Sequence, residues 1–312
     1  MMLEQMANGI GIPVVFIENL ANAASYEYKT YTIRKRSGGL RTIHHPSRRL
    51  KALQRWLLAN VIQNFPVHLA ATAYAPGRSI FKNASVHATS RYLLRMDFTD
   101  FFPSITQNDV RSYVNTNTRF FEGWNSTDVN AFCNLISRNG VLTIGAPTSP
   151  AISNALCYDL DARLELFCSK SGVTYTRYAD DLFFSADRSG TLRQIEEGVL
   201  RIVSELEIPR CLVINRAKTR HSSKRGTRRV TGIVLGSDGK PHIGRTLKRK
   251  IRASIHQFAA LDDAGKDSLA GLIAFAVGFD PDFLNSLIKK YGLAAVRIAM
   301  KKPSAKTGGK PL

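Results

Sequence analysis

The sequence predicts an α+β fold built around an antiparallel sheet, and three observations carry that expectation. Stretches with helical periodicity interleave with short runs rich in β-branched and aromatic residues. Two of those runs meet at a two-residue corner, the mark of a hairpin. There is no βαβ rhythm and no G-x-G-x-x-G loop, which argues against a doubly wound parallel sheet.

Taken in order, Leu50, Leu53, Leu57 and Val61 recur at helical spacing beside Trp56, with Pro66 beyond. They predict a helix over about 48–64. Tyr92–Asp97 reads as a short strand. Thr106 followed by Asp109 is a capping pattern that opens a helix, and Ser126 and Gly140 bracket another over about 127–137. Pro150 stands in the first turn of one long amphipathic pattern through Ile152, Leu156, Leu160 and Leu164, ending near Gly172. Val173–Tyr178 and Asp181–Ser185 form the arms of a hairpin about Ala179-Asp180. A helix over about 190–206, a strand at Val230–Leu235 and a turn at Asp238-Gly239 follow. The chain beyond reads as helical.

Of 312 residues, 44% are hydrophobic and 9% aromatic, too apolar for a disordered chain and enough for one core with appended subdomains. Lys and Arg outnumber Asp and Glu by 44 to 24, a net charge of +20 that points to a polyanionic partner. Between Arg216 and Arg252, thirteen basic residues meet a single acid, Asp238, so +12 of the surplus lies there. A second basic run goes from Arg34-Lys35-Arg36 through Arg41 to Arg48-Arg49. Two such runs flanking an acidic motif suggest the walls of a nucleic-acid groove. Apolar stretches such as Leu272–Val277 fall far short of the ~20 residues of a membrane-spanning helix. Met1–Gln5 lacks the basic and apolar regions of a signal peptide, so no membrane partner and a cytoplasmic location are expected. Cys133, Cys157, Cys168 and Cys211 form no C-x-x-C pair and read as buried thiols in a reducing compartment.

The most informative residues are Asp180-Asp181 at the hairpin tip. Adjacent carboxylates repel, and a divalent cation relieves the conflict; hard oxygen ligands suit Mg²⁺. A third acid is expected on a neighbouring strand, and Asp97 at the end of Tyr92–Asp97 is the candidate. Together they have the composition to hold two Mg²⁺ ions about 3.5–4 Å apart for in-line phosphoryl transfer. A solvated hairpin cap is the alternative for an isolated Asp-Asp.

These residues resemble a family. Tyr178-Ala179-Asp180-Asp181 is similar to the Y-x-D-D box of reverse transcriptases, and Arg95-Met96-Asp97-Phe98-Thr99-Asp100-Phe101-Phe102-Pro103-Ser104 to their preceding metal-binding block. Gly145-Ala146-Pro147-Thr148-Ser149-Pro150 resembles the loop-to-helix block between the two. Asn83-Ala84-Ser85-Val86-His87 and Val230-Thr231-Gly232 resemble the N-A-x-x-H and V-T-G elements of bacterial retron reverse transcriptases. The motifs cover about Tyr31 to Leu235.

The resemblance implies a right-hand polymerase: an N-terminal segment and fingers over 1–90, a palm sheet over 91–236 with a fingers-type insertion at about 105–145, and a basic helical thumb over 237–312. It implies Asp97, Asp180 and Asp181 as catalytic ligands of two Mg²⁺ ions. Phe102 would lie under the sugar of the incoming nucleotide and exclude a 2′-hydroxyl, whereas for Phe101 a gate and core packing both stand open. Arg41 would stack on or grip the incoming nucleotide, with Lys35 and Arg36 assisting or merely solvated. Asp100 would lie near the triphosphate, and Lys218 near the leaving pyrophosphate, as a general acid or a phosphate contact. Gly145 would let template or nucleotide approach the backbone closely. Thr143-Ile144 replaces the family's common Pro-Gln, which leaves a side-chain contact in question. Asn83, His87, Val230, Thr231, Gly232, Arg245, Lys248, Arg249 and Lys250 are the expected RNA-binding positions; for His87 a plain buried histidine stands beside that role.

The partners implied are dNTPs, a structured non-coding RNA that is both template and primer, its cDNA product, and an effector or toxin protein in anti-phage defence. Synthesis would start from a guanosine 2′-hydroxyl and give branched RNA–DNA (msDNA). Two rivals remain open at this level: a group II intron-like or diversity-generating reverse transcriptase, and an RNA-binding scaffold that restrains an effector.

Overall fold

The strand-forming runs assemble into a four-stranded antiparallel sheet in the order β4-β5-β3-β6, with β3 at Tyr92–Asp97, β4 at Thr174–Tyr178, β5 at Asp181–Ala186 and β6 at Arg220–Ser223. The computed structural model describes residues 1–35 and 38–301. Leu94 pairs with Phe184 and Met96 with Leu182 across β3 and β5, and all four are buried. Tyr175 stacks on Phe184 with ring centroids 5.1 Å apart. Helices α8 (Tyr158–Ser169) and α9 (Thr191–Ser204) cover the sheet.

Around this sheet lie helices whose ends the sequence marks. Ser47 accepts a hydrogen bond from the Leu50 N–H and starts α3, Arg48–Asn60. That helix stops short of the expected 64, its last residues tightening into a 3₁₀ turn at Ile62–Asn64. Thr106 and Asp109 form a reciprocal capping box on α5 (Gln107–Thr116), and Asn125 with Asp128 does the same for α6 (Ser126–Ile136). The long helix expected from Pro150 to Gly172 is two helices, α7 (Ser149–Leu156) and α8, broken at Cys157. The apolar stripe continues across the break, so periodicity alone does not register it. Cys133, Cys157 and Cys168 are buried, and burial pushes their thiols up to about 11, 12 and 12; Cys211, expected to be buried, is exposed.

β1 (Tyr28–Arg34) and β2 (Leu40–Pro46) form a separate, largely exposed hairpin. The His44 N–H donates to the Ile144 carbonyl at 2.8 Å and so ties this hairpin to the loop before α7. Arg36 lies outside the described residues.

The chain divides into two compact units: Met1–Asn83 with Ser90–Ser223, and Ala84–Thr89 with the chain from Lys224 onward. In the second, the strand expected at Val230–Leu235 is a tight hairpin of β7 (Arg228–Val230) and β8 (Ile233–Leu235). Its two-residue turn is Thr231-Gly232, both with positive φ (48° and 87°), the geometry that matches strand twist in a short hairpin. Four helices follow, α10 (Arg245–His256), α11 (Asp263–Phe279), α12 (Pro281–Tyr291) and α13 (Leu293–Met300). They share their own core of Ile251, Ile255, Leu269, Ile273, Phe283 and Leu287. Among the described residues no helix is long and apolar enough to cross a membrane.

Candidate active site

The three aspartates meet where β3 and the β4–β5 hairpin end. Asp97, the last residue of β3, stands directly opposite Asp181, the first of β5. Asp180 occupies the intervening turn, and its carbonyl accepts from the Phe98 N–H at 3.1 Å. The other side of β3 is closed by the Asn215 N–H donating to the Asp97 carbonyl at 2.7 Å. The turn requires Ala179 at φ 57°, a left-handed conformation unusual for a residue with a Cβ.

Crowding in a partly desolvated corner disfavours the charged forms of Asp180 and Asp181. Burial raises Asp180, and the nearby Asp97 charge adds to it. Burial pushes Asp181 up to about 6 against the opposing pull of the Arg95 guanidinium. Two cations answer this charge from within the chain. The Lys218 ammonium donates to Asp97 Oδ1 at 2.7 Å. Arg95 donates through Nη2 and Nε to Asp181 Oδ1 at 2.7 and 3.0 Å. The Arg95 contact is absent from the sequence reading, although Arg95 stands two positions before Asp97 and so on the same strand face.

Among the described residues no three His, Cys, Asp or Glu side chains converge into a ready-made metal cage. The donor set nevertheless fits a divalent cation: hard oxygens whose mutual repulsion it would relieve. Mg²⁺ in particular binds through one or two carboxylates completed by water and substrate phosphate rather than by an all-protein cage.

Beside the aspartates lies a cleft of about 560 Å³. Asp180 and Lys218 form one part of its lining; Lys35, Arg41, Tyr74, Asp100, Phe102, Thr143 and Ile144 form much of the rest. Phe102 is half-buried against this cleft, whereas Phe101 is buried and stacks on Phe98 at 5.7 Å, so Phe101 belongs mainly to the core. Asp100 is exposed at φ 43°, and its carbonyl accepts from the Ser104 N–H and hydroxyl.

Gly145 differs from expectation. A Cβ at this position would lie 2.3 Å from the His44 carbonyl oxygen, and the backbone has φ 117°. The close approach that requires glycine here is made by the protein's own strand β2.

The expected RNA-binding positions separate into two groups. Asn83, His87 and Val230 are buried and present no side chain to a ligand. Thr176 donates to Asn83 Oδ1 at 2.5 Å, and burial lowers His87 to about 3, leaving it neutral. Arg228, buried next to the Val230-Thr231-Gly232 hairpin, donates to the Ala88 and Gly236 carbonyls at 3.3 and 3.0 Å. It joins the segment after His87 to this hairpin, an organising contact between two motifs 140 residues apart. On α10, Arg245, Arg249 and Lys250 are exposed. Lys248 is not a free cation: it pairs with Asp280 at 2.5 Å and lies over the Phe283 ring.

Comparison with known proteins agrees with this arrangement. Residues 33–235 match the family described as reverse transcriptase (RNA-dependent DNA polymerase). The chain is 35% identical to the Retron Ec83 reverse transcriptase of Escherichia coli, over 90% of this chain and 92% of that protein. It is 31% identical to the Retron Ec86 reverse transcriptase of the same organism, over 93% and 90%. Among solved structures it is similar to telomerase from Candida albicans in complex with a TWJ fragment of telomeric RNA, with a TM-score of 0.51 and 12% identity. That match covers 87% of this chain but 56% of the telomerase chain, and it concerns the fold: an α+β right-hand polymerase.

Proposed function

Because the chain belongs to the reverse transcriptase family, and within it to the retron enzymes, we propose that its RNA-directed DNA polymerase activity serves one cognate structured non-coding RNA. That RNA acts as template and primer, a guanosine 2′-hydroxyl starts the cDNA, and the product is branched RNA–DNA (msDNA). The complex belongs to an anti-phage defence system in which it restrains a separate effector protein. In this reading residues 1–90 act as fingers, 91–236 as palm and the chain from 237 as thumb.

The reading is carried by one observation, the register pair Asp97–Asp181 with Asp180 between them and the cation-rich cleft. The family generally uses divalent metal ions, and here two Mg²⁺ ions would be held by Asp97, Asp180 and Asp181. A bound Mg²⁺ pair supplies charge neutralisation at the attacking and leaving oxygens of an in-line displacement. The remaining work falls to the chain. Arg41, assisted by Lys35, binds the triphosphate with planar or point-charge donors. Asp100 offers its backbone amide beside the same phosphates. Phe102 packs under the sugar and excludes a 2′-hydroxyl. Lys218, released from Asp97 when substrate enters, holds the departing pyrophosphate and can give it a proton. On the thumb, Arg245, Arg249 and Lys250 contact RNA phosphates, reading helix shape more than base edges. The Thr231-Gly232 turn of the β7–β8 hairpin contributes to the same RNA contact.

The test is Mg²⁺-dependent dNTP incorporation on the RNA that co-purifies with the protein, with that nucleic acid sequenced before and after debranching. Asp97→Asn, Asp180→Asn and Asp181→Asn should each abolish synthesis and leave RNA binding in place. Synthesis retained in any of them, or a product unchanged by debranching, overturns the corresponding part of the reading.

A further inference from the structure

We propose that the buried ion pair between Asp161 on α8 and Arg177 on β4 is a positioning device for the Asp180-Asp181 corner, and so sets how tightly the site holds its divalent cation. This rests on the metal-site reading above. Both side chains are wholly shielded from solvent. The guanidinium grips the carboxylate at two points, Nε to Oδ1 at 2.8 Å and Nη2 to Oδ2 at 2.6 Å. The Tyr175 hydroxyl donates to Asp161 Oδ1 at 2.7 Å and fixes the carboxylate from a third direction.

The remaining guanidinium nitrogen gives the pair its reach. Arg177 Nη1 donates to the Ala179 carbonyl at 3.2 Å. That carbonyl belongs to the peptide joining Ala179 to Asp180, inside a turn held in the left-handed region at φ 57°. Rotating this peptide would relieve the backbone and swing Asp180 out of line with Asp97. The same residue also anchors the far side of the cleft. The Arg177 N–H donates to the Ala70 carbonyl, and the Arg177 carbonyl accepts from the Thr72 N–H and hydroxyl at 2.7 and 2.8 Å. Two residues on, Tyr74 lines the cleft together with Asp180.

A buried charge pair is a poor way to gain stability, because well-packed apolar residues of similar size serve as well or better. An apolar pair cannot offer a donor to the Ala179 carbonyl. The pair is therefore explained by the geometry it imposes, and stability and metal affinity should separate on mutation.

The experiment uses the full chain with its co-purifying RNA, and three variants. Asp161→Leu combined with Arg177→Met removes both charges. Arg177→Lys keeps a charge opposite Asp161 but has a single nitrogen, unable to span Asp161 and the Ala179 carbonyl. Asp180→Asn is the control. Melting temperature, RNA affinity and the Mg²⁺ dependence of dNTP incorporation are measured for each. The double variant should fold and bind RNA within about twofold of wild type, while half-saturating Mg²⁺ rises at least about fivefold and kcat falls at least about tenfold. Arg177→Lys should move Mg²⁺ dependence in the same direction, and it decides alone if the double variant does not fold. A folded pair variant with wild-type Mg²⁺ dependence and kcat overturns the proposal, as does a change in melting temperature alone. Synthesis by Asp180→Asn would instead sink the metal-site reading, whereas an inactive Asp180→Asn beside wild-type-like pair variants sinks only the positioning role.

Discussion

Replacing Gly145 by alanine tests how the β1–β2 hairpin is held against the cleft. The added Cβ would lie 2.3 Å from the His44 carbonyl oxygen and 3.0 Å from its carbon, backbone atoms that cannot swing aside. Restoring ordinary contact requires a displacement of about 1 Å. Holding alanine at φ 117° adds strain of ~1–3 kcal/mol, and stretching the His44–Ile144 hydrogen bond adds ~0.5–1.5 kcal/mol. The total is roughly 2–4 kcal/mol, a fall in melting temperature on the order of 10 °C for a unit of this size. Arg41, Thr42 and His44 of β2 line the same cleft as Asp180, so the shift also moves these side chains relative to the aspartates. A misplacement of that size costs about 10²-fold in rate, expected in kcat/KM for dNTP with RNA affinity unchanged. Denaturant unfolding and single-nucleotide incorporation read the two effects. Stability within ~0.5 kcal/mol of wild type, together with an unchanged kcat/KM for dNTP, would refute the reasoning.

Four further outcomes are expected. Phe102→Ala should raise rNTP incorporation relative to dNTP while leaving RNA affinity alone; an unchanged ratio counts against the steric gate. In chelator, the Asp181 carboxyl, raised by burial from 3.8 to about 6, contributes stability below pH 3.8 that is lost as pH rises through 6. Asp181→Asn should therefore stabilise the metal-free protein at pH 7, by no more than roughly 3 kcal/mol at ~1.4 kcal/mol per pH unit; a gain that is the same at pH 4 and pH 7 contradicts the assignment. Neutralising Arg245, Arg249 and Lys250 to Gln should weaken RNA binding and flatten the log–log salt dependence by about 2–3, whereas Lys248→Gln should mainly lower stability, since it removes the partner of Asp280. Gly232→Ala, at φ 87° in a two-residue turn, should cost about 1–2 kcal/mol in unfolding of the second unit, and no measurable loss would remove the turn's backbone requirement.

What the sequence makes legible is what local chemistry determines. Asp180-Asp181 between two β-rich arms implies a hairpin tip, and the Tyr92–Asp97 run supplies the strand that pairs with it, because both signals lie within a few residues. The missing parts depend on contacts distant in the chain. Arg95 looks like an ordinary surface cation until β3 pairs with β5, and the contact of Lys218 with Asp97 is hidden until the segment around Ile214 lies beside β3. Gly145 suggests a ligand until His44 is seen against it. An unbroken apolar stripe hides the interruption at Cys157, and a β-prone run hides the turn at Thr231-Gly232, which a Gly in the second position of a short loop does signal. Asn83, whose polarity suggests a contact, and His87, for which burial and contact both stand open in the sequence, lie inside the fold.

The strand carrying Asp97 is one of the two inner strands of its sheet, flanked by β5 on one edge and by β6 and Asn215 on the other. Chain in such a place opens only when the whole unit opens, unlike frayed ends or peripheral ribbons. Thermal inactivation through loss of this carboxylate corner should accordingly coincide with cooperative melting of the unit rather than precede it.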